Sequence, residues 1–270
     1  MEYCIRAEDD VNIYANDINP CGQQTILFIH GWPANHQMFE YQYDQLISSG
    51  YRCVGVDTRG FGKSDKPLTG YNYDRLADDI LCVIKALKLK NITLAGHSTG
   101  GAIAIRYMSR HHGFGVSKLV LMAAAAPSLV KLPRFPYGQN ADDIRKNFIE
   151  AAYVDRPQML QNFGNIFFYQ PVSQPFSDWF QSLGLEAASW ATISVANMWL
   201  KEQLFSDLAR IQAPTLIMHG VHDQVVPFQL GMIQHKNIRN SRLVPFENSG
   251  HGLFYDEMGK CNLELKSFAQ

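Results

Sequence analysis

Apolar residues along this chain come mostly in short unbroken runs, and the stretches between them carry helical stripes. The runs are TILFIHG (25–31), YRCVGVD (51–57), NITLAGH (91–97), SKLVLMAA (117–124), PTLIMHG (214–220) and RLVPF (242–246). Each is of strand length, rich in β-branched residues, and ends near glycine or a polar residue. Such runs do not alternate, so they describe strands buried on both faces, as in a parallel sheet. Between them, residues 74–90 place Leu76, Ile80, Val83, Ile84 and Leu87 on one stripe, which predicts a helix covering that sheet. The first residues, EYCIRAEDDVNIYANDI, alternate more strongly and predict an antiparallel hairpin at the sheet edge.

From about 126 to 212 the rhythm changes. Prolines at 127, 133, 136, 157, 171 and 175 punctuate a segment rich in aromatics, among them Phe148, Phe163, Trp179, Trp190 and Trp199. No strand pattern appears there. The expected organisation is a core of residues 1–125 and 213–270, with 126–212 inserted as a helical cap. Open sheets bind ligands at the carboxyl ends of their strands, so this cap is expected to roof an apolar pocket.

Composition narrows the chemistry. A net charge of −1 gives no electrostatic footing for nucleic acid or an anionic membrane. No window approaches the roughly eighteen apolar residues of a membrane span. The opening MEYCIRAEDD lacks the basic stretch and apolar core of a secretory signal. The five cysteines are scattered, with no C-x-x-C pair and no zinc-like spacing. The expectation is a soluble cytoplasmic protein with reduced thiols and neither metal nor cofactor. Its oligomeric state is not legible.

The candidate chemistry sits in LAGHSTGGAIA (94–104). A strand runs into GHSTG, and a helix with Ile103, Tyr107 and Met108 on one face runs out of it. Ser98 therefore stands on a sharp strand-to-helix turn whose glycines admit close backbone contact, the geometry of a nucleophile elbow. A serine hydroxyl is a weak nucleophile until a placed base takes its proton. Downstream, VHDQVVP puts Asp223 after one strand, and ENSGHGLF puts His251 after the next. In the order Ser98, Asp223, His251, the imidazole would take the hydroxyl proton and the carboxylate would fix its tautomer. Glu247 is a weaker alternative as orienter. His97 is expected to point away from the pocket, and His111, His112, His219, His222 and His235 to serve surface or packing roles. HGWP (30–33) ends the first long strand, so the Trp32 and Thr99 amides are the expected oxyanion hole. His30 is expected to bond within its own loop. Trp32 and Val225 are the candidate substrate-contacting side chains. Asp57 and Arg59, in DTRGFGKSD, suggest an ion pair or loop brace.

These motifs, in this order, resemble the α/β-hydrolase superfamily, and within it the bacterial arylesterases and cofactor-free haloperoxidases, or perhydrolases. The resemblance implies a mostly parallel sheet with helices on both faces and a serine carboxylesterase acting on small apolar or aryl esters. It assigns the nucleophile to Ser98, the acid to Asp223, the base to His251 and the oxyanion amides to Trp32 and Thr99. In that group a proline after the oxyanion aromatic accompanies perhydrolysis, and Pro33 matches. Ala102 stands where the group often has a third glycine, and the cap matches only loosely. A lactonase, amidase or C–C hydrolase would share the triad, as would a low-turnover ligand sensor. Epoxide hydrolases and haloalkane dehalogenases need a carboxylate where Ser98 stands.

Overall fold

The computed structural model describes residues 1–270. Its strands are β1 (Glu2–Arg6), β2 (Asn12–Ile18), β3 (Thr25–Ile29), β4 (Arg52–Val56), β5 (Ile92–His97), β6 (Val116–Met122), β7 (Thr215–Gly220) and β8 (Ser241–Phe246). They form one eight-stranded sheet in the order β1-β2-β4-β3-β5-β6-β7-β8. The hairpin β1–β2 joins β4 antiparallel, and every other pairing is parallel. Each apolar run of the sequence lies on one of these strands. Of these, β5 and β7 are buried along their whole length, which is why their sequences do not alternate.

Helices α1 (Glu40–Ser48), α2 (Tyr73–Ala86) and α3 (Thr99–Arg110) follow β3, β4 and β5. Asn72 caps α2 by accepting the Arg75 amide at 2.8 Å, and Leu76, Ile80, Val83 and Ile84 are buried. The helix stops at Ala86, short of the expected 90. Lys88 turns into the left-handed region (φ 51°) and the Leu89 amide reaches back to the Ile84 carbonyl, closing the helix end.

Between β6 and β7 the chain adds helices and no strand to the sheet. These are α4 (Ala141–Ile144), a π-helical stretch Arg145–Glu150, α5 (Ala151–Phe167), α6 (Gln174–Leu185), α7 (Ser189–Lys201) and α8 (Phe205–Leu208). Asp155 leaves helical geometry within α5, two residues before Pro157, and its carboxylate caps the second half through the Gln158 amide at 3.0 Å. The chain finishes with α9 (Phe228–Asn237), α10 (Leu253–Asp256) and α11 (Met258–Ala269). No helix is long and apolar enough to cross a membrane.

The expected Asp57–Arg59 pair does not form. Asp57 accepts the His36 ring and amide on one oxygen and the Lys63 amide on the other. Arg59 grips Asp79 of α2 and Asp9 of the β1–β2 turn, each through two hydrogen bonds of 2.7–3.0 Å. Both residues brace the loop after β4, with partners distant in sequence. A fully buried guanidinium needs this many acceptors to offset its lost hydration.

Candidate active site

Ser98 joins β5 to α3 with φ 53° and ψ −120°, a conformation costly for a non-glycine residue by about 1–3 kcal/mol. The neighbours hold it there. Its amide donates to the Met122 carbonyl of β6 at 2.9 Å, and its carbonyl accepts the Ala102 and Ala125 amides at 3.1 and 3.0 Å. A Cβ on Gly96 would lie 2.4 Å from the Gly100 carbonyl oxygen, so the turn is too tight for a side chain there.

The loop after β3 lies against this turn. A Cβ on Gly31 would meet His97 Nδ1 at 2.5 Å and Ser98 Cβ at 3.1 Å. Next to it, the Trp32 amide donates to no acceptor, and neither does the Thr99 amide at the start of α3. Their side chains are committed elsewhere. The Trp32 indole N–H donates to the Thr192 carbonyl, and the Trp199 indole N–H donates to Thr99 Oγ1, both at 3.1 Å. His30 bonds only partly within its own loop: Nδ1 donates to the Gly31 carbonyl at 2.9 Å, while Nε2 accepts the amide of Thr58, in the loop after β4, at 3.0 Å. Burial lowers its pKa, which keeps this ring neutral.

The loops after β7 and β8 bring Asp223 and His251 together. His251 Nδ1 donates to Asp223 Oδ2 at 2.7 Å, and both side chains are fully buried. Asp223 Oδ1 accepts the Val225 and Val226 amides, each at 2.8 Å. Burial alone would raise the Asp223 pKa, but His251 and His219 beside it hold the carboxyl far below the usual range. Because Nδ1 carries the proton, His251 Nε2 presents a lone pair, buried and without a protein partner. Ser98 makes no side-chain hydrogen bond, so the link from Nε2 to the hydroxyl is open here. The His251 ring packs against His97 (centroids 4.6 Å) and Phe167 (4.9 Å).

Among the other histidines, His97 is fully buried, and its Nε2 donates to the His251 carbonyl at 2.9 Å. Burial, with His251 nearby, drives its pKa well below the ordinary value. His222 stacks on Tyr169 at 4.0 Å, while His235 sits on α9 beside Ser241. His111 meets Asp78 at the end of α3. His219 is not at the surface: it is fully buried, 3.5 Å from Asp223 Oδ2. Glu247 is exposed, and Asp223 alone holds the His251 ring.

A cavity of about 350 Å³ opens at Ser98. Trp32, Phe148, Phe163 and Trp199 share its wall, with Trp32 edge-to-face against the other three at 5.0–5.5 Å. Val225 also lines it; Asp223 and His251 lie outside the lining. Sequence reasoning missed Gln139, which lines the cavity and donates to the Gln224 and Val225 carbonyls at 2.8 and 2.9 Å, tying the segment before α4 to the Asp223 loop. No local pattern signals such a strap, since Gln139 stands in an irregular stretch. No group of three or more His, Cys, Asp or Glu is placed to hold a metal ion, and all five cysteines are free.

Against known proteins, residues 24–167 match the family model described as the alpha/beta hydrolase fold. The chain is 46% identical over 269 residues to the AB hydrolase superfamily protein YisY of Bacillus subtilis, covering 100% of this chain and 99% of the other. Among solved structures, an esterase from Exiguobacterium antarcticum is 46% identical with a TM-score of 0.96, covering 100% of this chain and 99% of that one. A bromoperoxidase from Bacillus anthracis is 31% identical with a TM-score of 0.93, with 99% of each chain covered. With the elbow, the sheet order and these matches in agreement, the chain belongs to the α/β-hydrolase family.

Proposed function

We propose that this protein is a serine carboxylesterase of small apolar or aryl esters, with Ser98 as nucleophile, His251 as general base and acid, and Asp223 as the group that orients the ring. The observation that carries this reading is His251 itself: its Nδ1–H is held by a buried carboxylate while its Nε2 lone pair has no partner in the protein. A buried acceptor left unpaired costs stability, and a proton-transfer role accounts for it. Catalytic contacts are often open before substrate binds and tighten only in the substrate complex.

In this cycle His251 Nε2 takes the Ser98 proton as Oγ attacks the ester carbonyl. The carbonyl π electrons move onto oxygen, where the free Trp32 and Thr99 amides stabilise the oxyanion. Collapse breaks the bond to the alcohol, which leaves with the proton from His251. A water molecule then gives its proton to Nε2 and attacks the acyl group; the carboxylic acid departs and Ser98 recovers its hydrogen. Asp223 stays ionised throughout and stabilises the imidazolium. The aromatic wall favours apolar acyl or aryl groups, residues 126–212 serve as the cap, and the free cysteines suit a reducing, cytoplasmic setting. Ser98→Ala is expected to lower turnover of p-nitrophenyl acetate about 10⁶-fold, and wild-type turnover in that variant would end the assignment.

A second reading is favoured by Pro33, directly after Trp32, and by the similarity to a bromoperoxidase. Hydrogen peroxide in place of water would attack the acyl-enzyme and release a peracid, leaving Ser98 free. Bromination of monochlorodimedone in acetate and peroxide tests it; a signal equal to that of Ser98→Ala removes it.

A further inference from the structure

Three histidines surround the Asp223 carboxylate or its partner, and the cycle above uses one. His219 stands near the end of β7 with its side chain fully buried. Its Nε2 lies 2.8 Å from the Val226 carbonyl oxygen and 3.5 Å from Asp223 Oδ2. Its Nδ1 is buried without a partner, where a Cβ on Gly231 of α9 would sit 2.7 Å away. The tautomer follows. A proton on Nδ1 would be a buried donor with nothing to donate to, and it would turn the Nε2 lone pair toward two oxygens. The proton therefore sits on Nε2, donated to Val226, with the carboxylate within reach of its dipole.

This hydrogen bond closes a ring. Val226 accepts from His219 through its carbonyl and donates through its amide to Asp223 Oδ1, while Val225 donates to the same oxygen. The loop carrying the carboxylate is thereby pinned to the strand that precedes it. The groups facing His219 are Asp223 on this loop, the Phe228 ring of α9 and, further off, His97.

We propose that His219 is a positioning residue for Asp223: its Nε2–H fixes the 223–226 loop so that the carboxylate stays aligned on His251. The inference rests on the triad reading above, and its test separates the two. His219→Leu removes the donor. His219→Gln restores an N–H close to Nε2, and His219→Asn carries an amide too short to reach Val226. Competent sites are counted by exhaustive phosphonylation of the serine, and kcat is expressed per counted site. Expected for Leu and Asn is a fall in kcat of about tenfold, equivalent to about 1.4 kcal/mol, with KM within about twofold of wild type. Gln is expected to recover most of that loss. A merely structural histidine would lower the number of competent sites and leave kcat per site unchanged. Wild-type kcat per site in Leu or in Asn, or a Gln variant as slow as both, overturns the proposal. If Ser98→Ala, run alongside, keeps its turnover, the triad falls and this inference falls with it; if it is inactive, such a His219 result refutes the positioning role alone.

Discussion

The two halves of the site treat their polar groups differently. On the acid–base side, one Asp223 oxygen takes two backbone amides and the other takes the His251 ring. On the nucleophile side, the Trp32 and Thr99 amides donate to nothing, the Ser98 hydroxyl is unpaired, and its backbone is held at φ 53°. The contrast fits what the proposed cycle asks of each half. A carboxylate that keeps one orientation through every step gains from being tied down in advance. Amides whose partner is a charge that exists only midway through the reaction gain from staying open, because a ground-state partner would compete with that charge.

The first way to break this comparison is to spoil the tied side. Asp223→Asn keeps the volume but offers an amide N–H or a neutral oxygen to His251, so the ring loses its tautomer; kcat for a p-nitrophenyl ester is expected to fall about 10⁴-fold. A loss under about tenfold would show that the carboxylate is not the orienter. The open side is reached through Gly31→Ala. The new methyl meets His97 and Ser98, and the displaced Trp32 amide should cost about 10²-fold in kcat, read against a wild-type near-ultraviolet spectrum. Unchanged kcat would separate this loop from the chemistry.

The smallest effect concerns pH. Burial lowers the pKa of both His97 and His30, so each binds a proton more readily when unfolded. Stability is therefore expected to fall as pH drops below about 6.5, by up to about 1.4 kcal/mol per pH unit for each ring. The depressed Asp223 carboxyl acts in the same direction at lower pH, its contribution being lost below the unfolded value near 4. Urea midpoints at pH 6.5 and 5.5 measure the histidine part, and His97→Gln should flatten the slope. Equal midpoints for wild type would contradict it.

The sheet was legible because a strand buried on both faces can only be written as an apolar run, and six such runs stand in the sequence. Asp223 and His251 were legible because each follows such a run at its carboxyl end, which fixes where in space the loop must be. What escaped were pairings between residues far apart in sequence. Arg59 reads as a neighbour of Asp57, yet its partners are Asp9 and Asp79, 50 and 20 residues away. His219 reads as one more polar residue before the acid, and only the loop's return past the strand shows that it holds Val226. The helices of residues 141–208 were weakly patterned, because several of them present apolar side chains both to the core and to the cavity.

The two indole hydrogen bonds reach further than their size suggests. One side chain from each partner spans the junction: Trp32 fastens its loop to Thr192, and Trp199 of the same helix α7 fastens onto Thr99. In the proposed cycle, whatever reshapes that helix to admit a different ester would also tug on the Trp32 and Thr99 amides assigned to the oxyanion. On that reading specificity and rate are mechanically geared, and a chimera that exchanges residues 126–212 with a relative's segment is expected to change its turnover along with its substrate range.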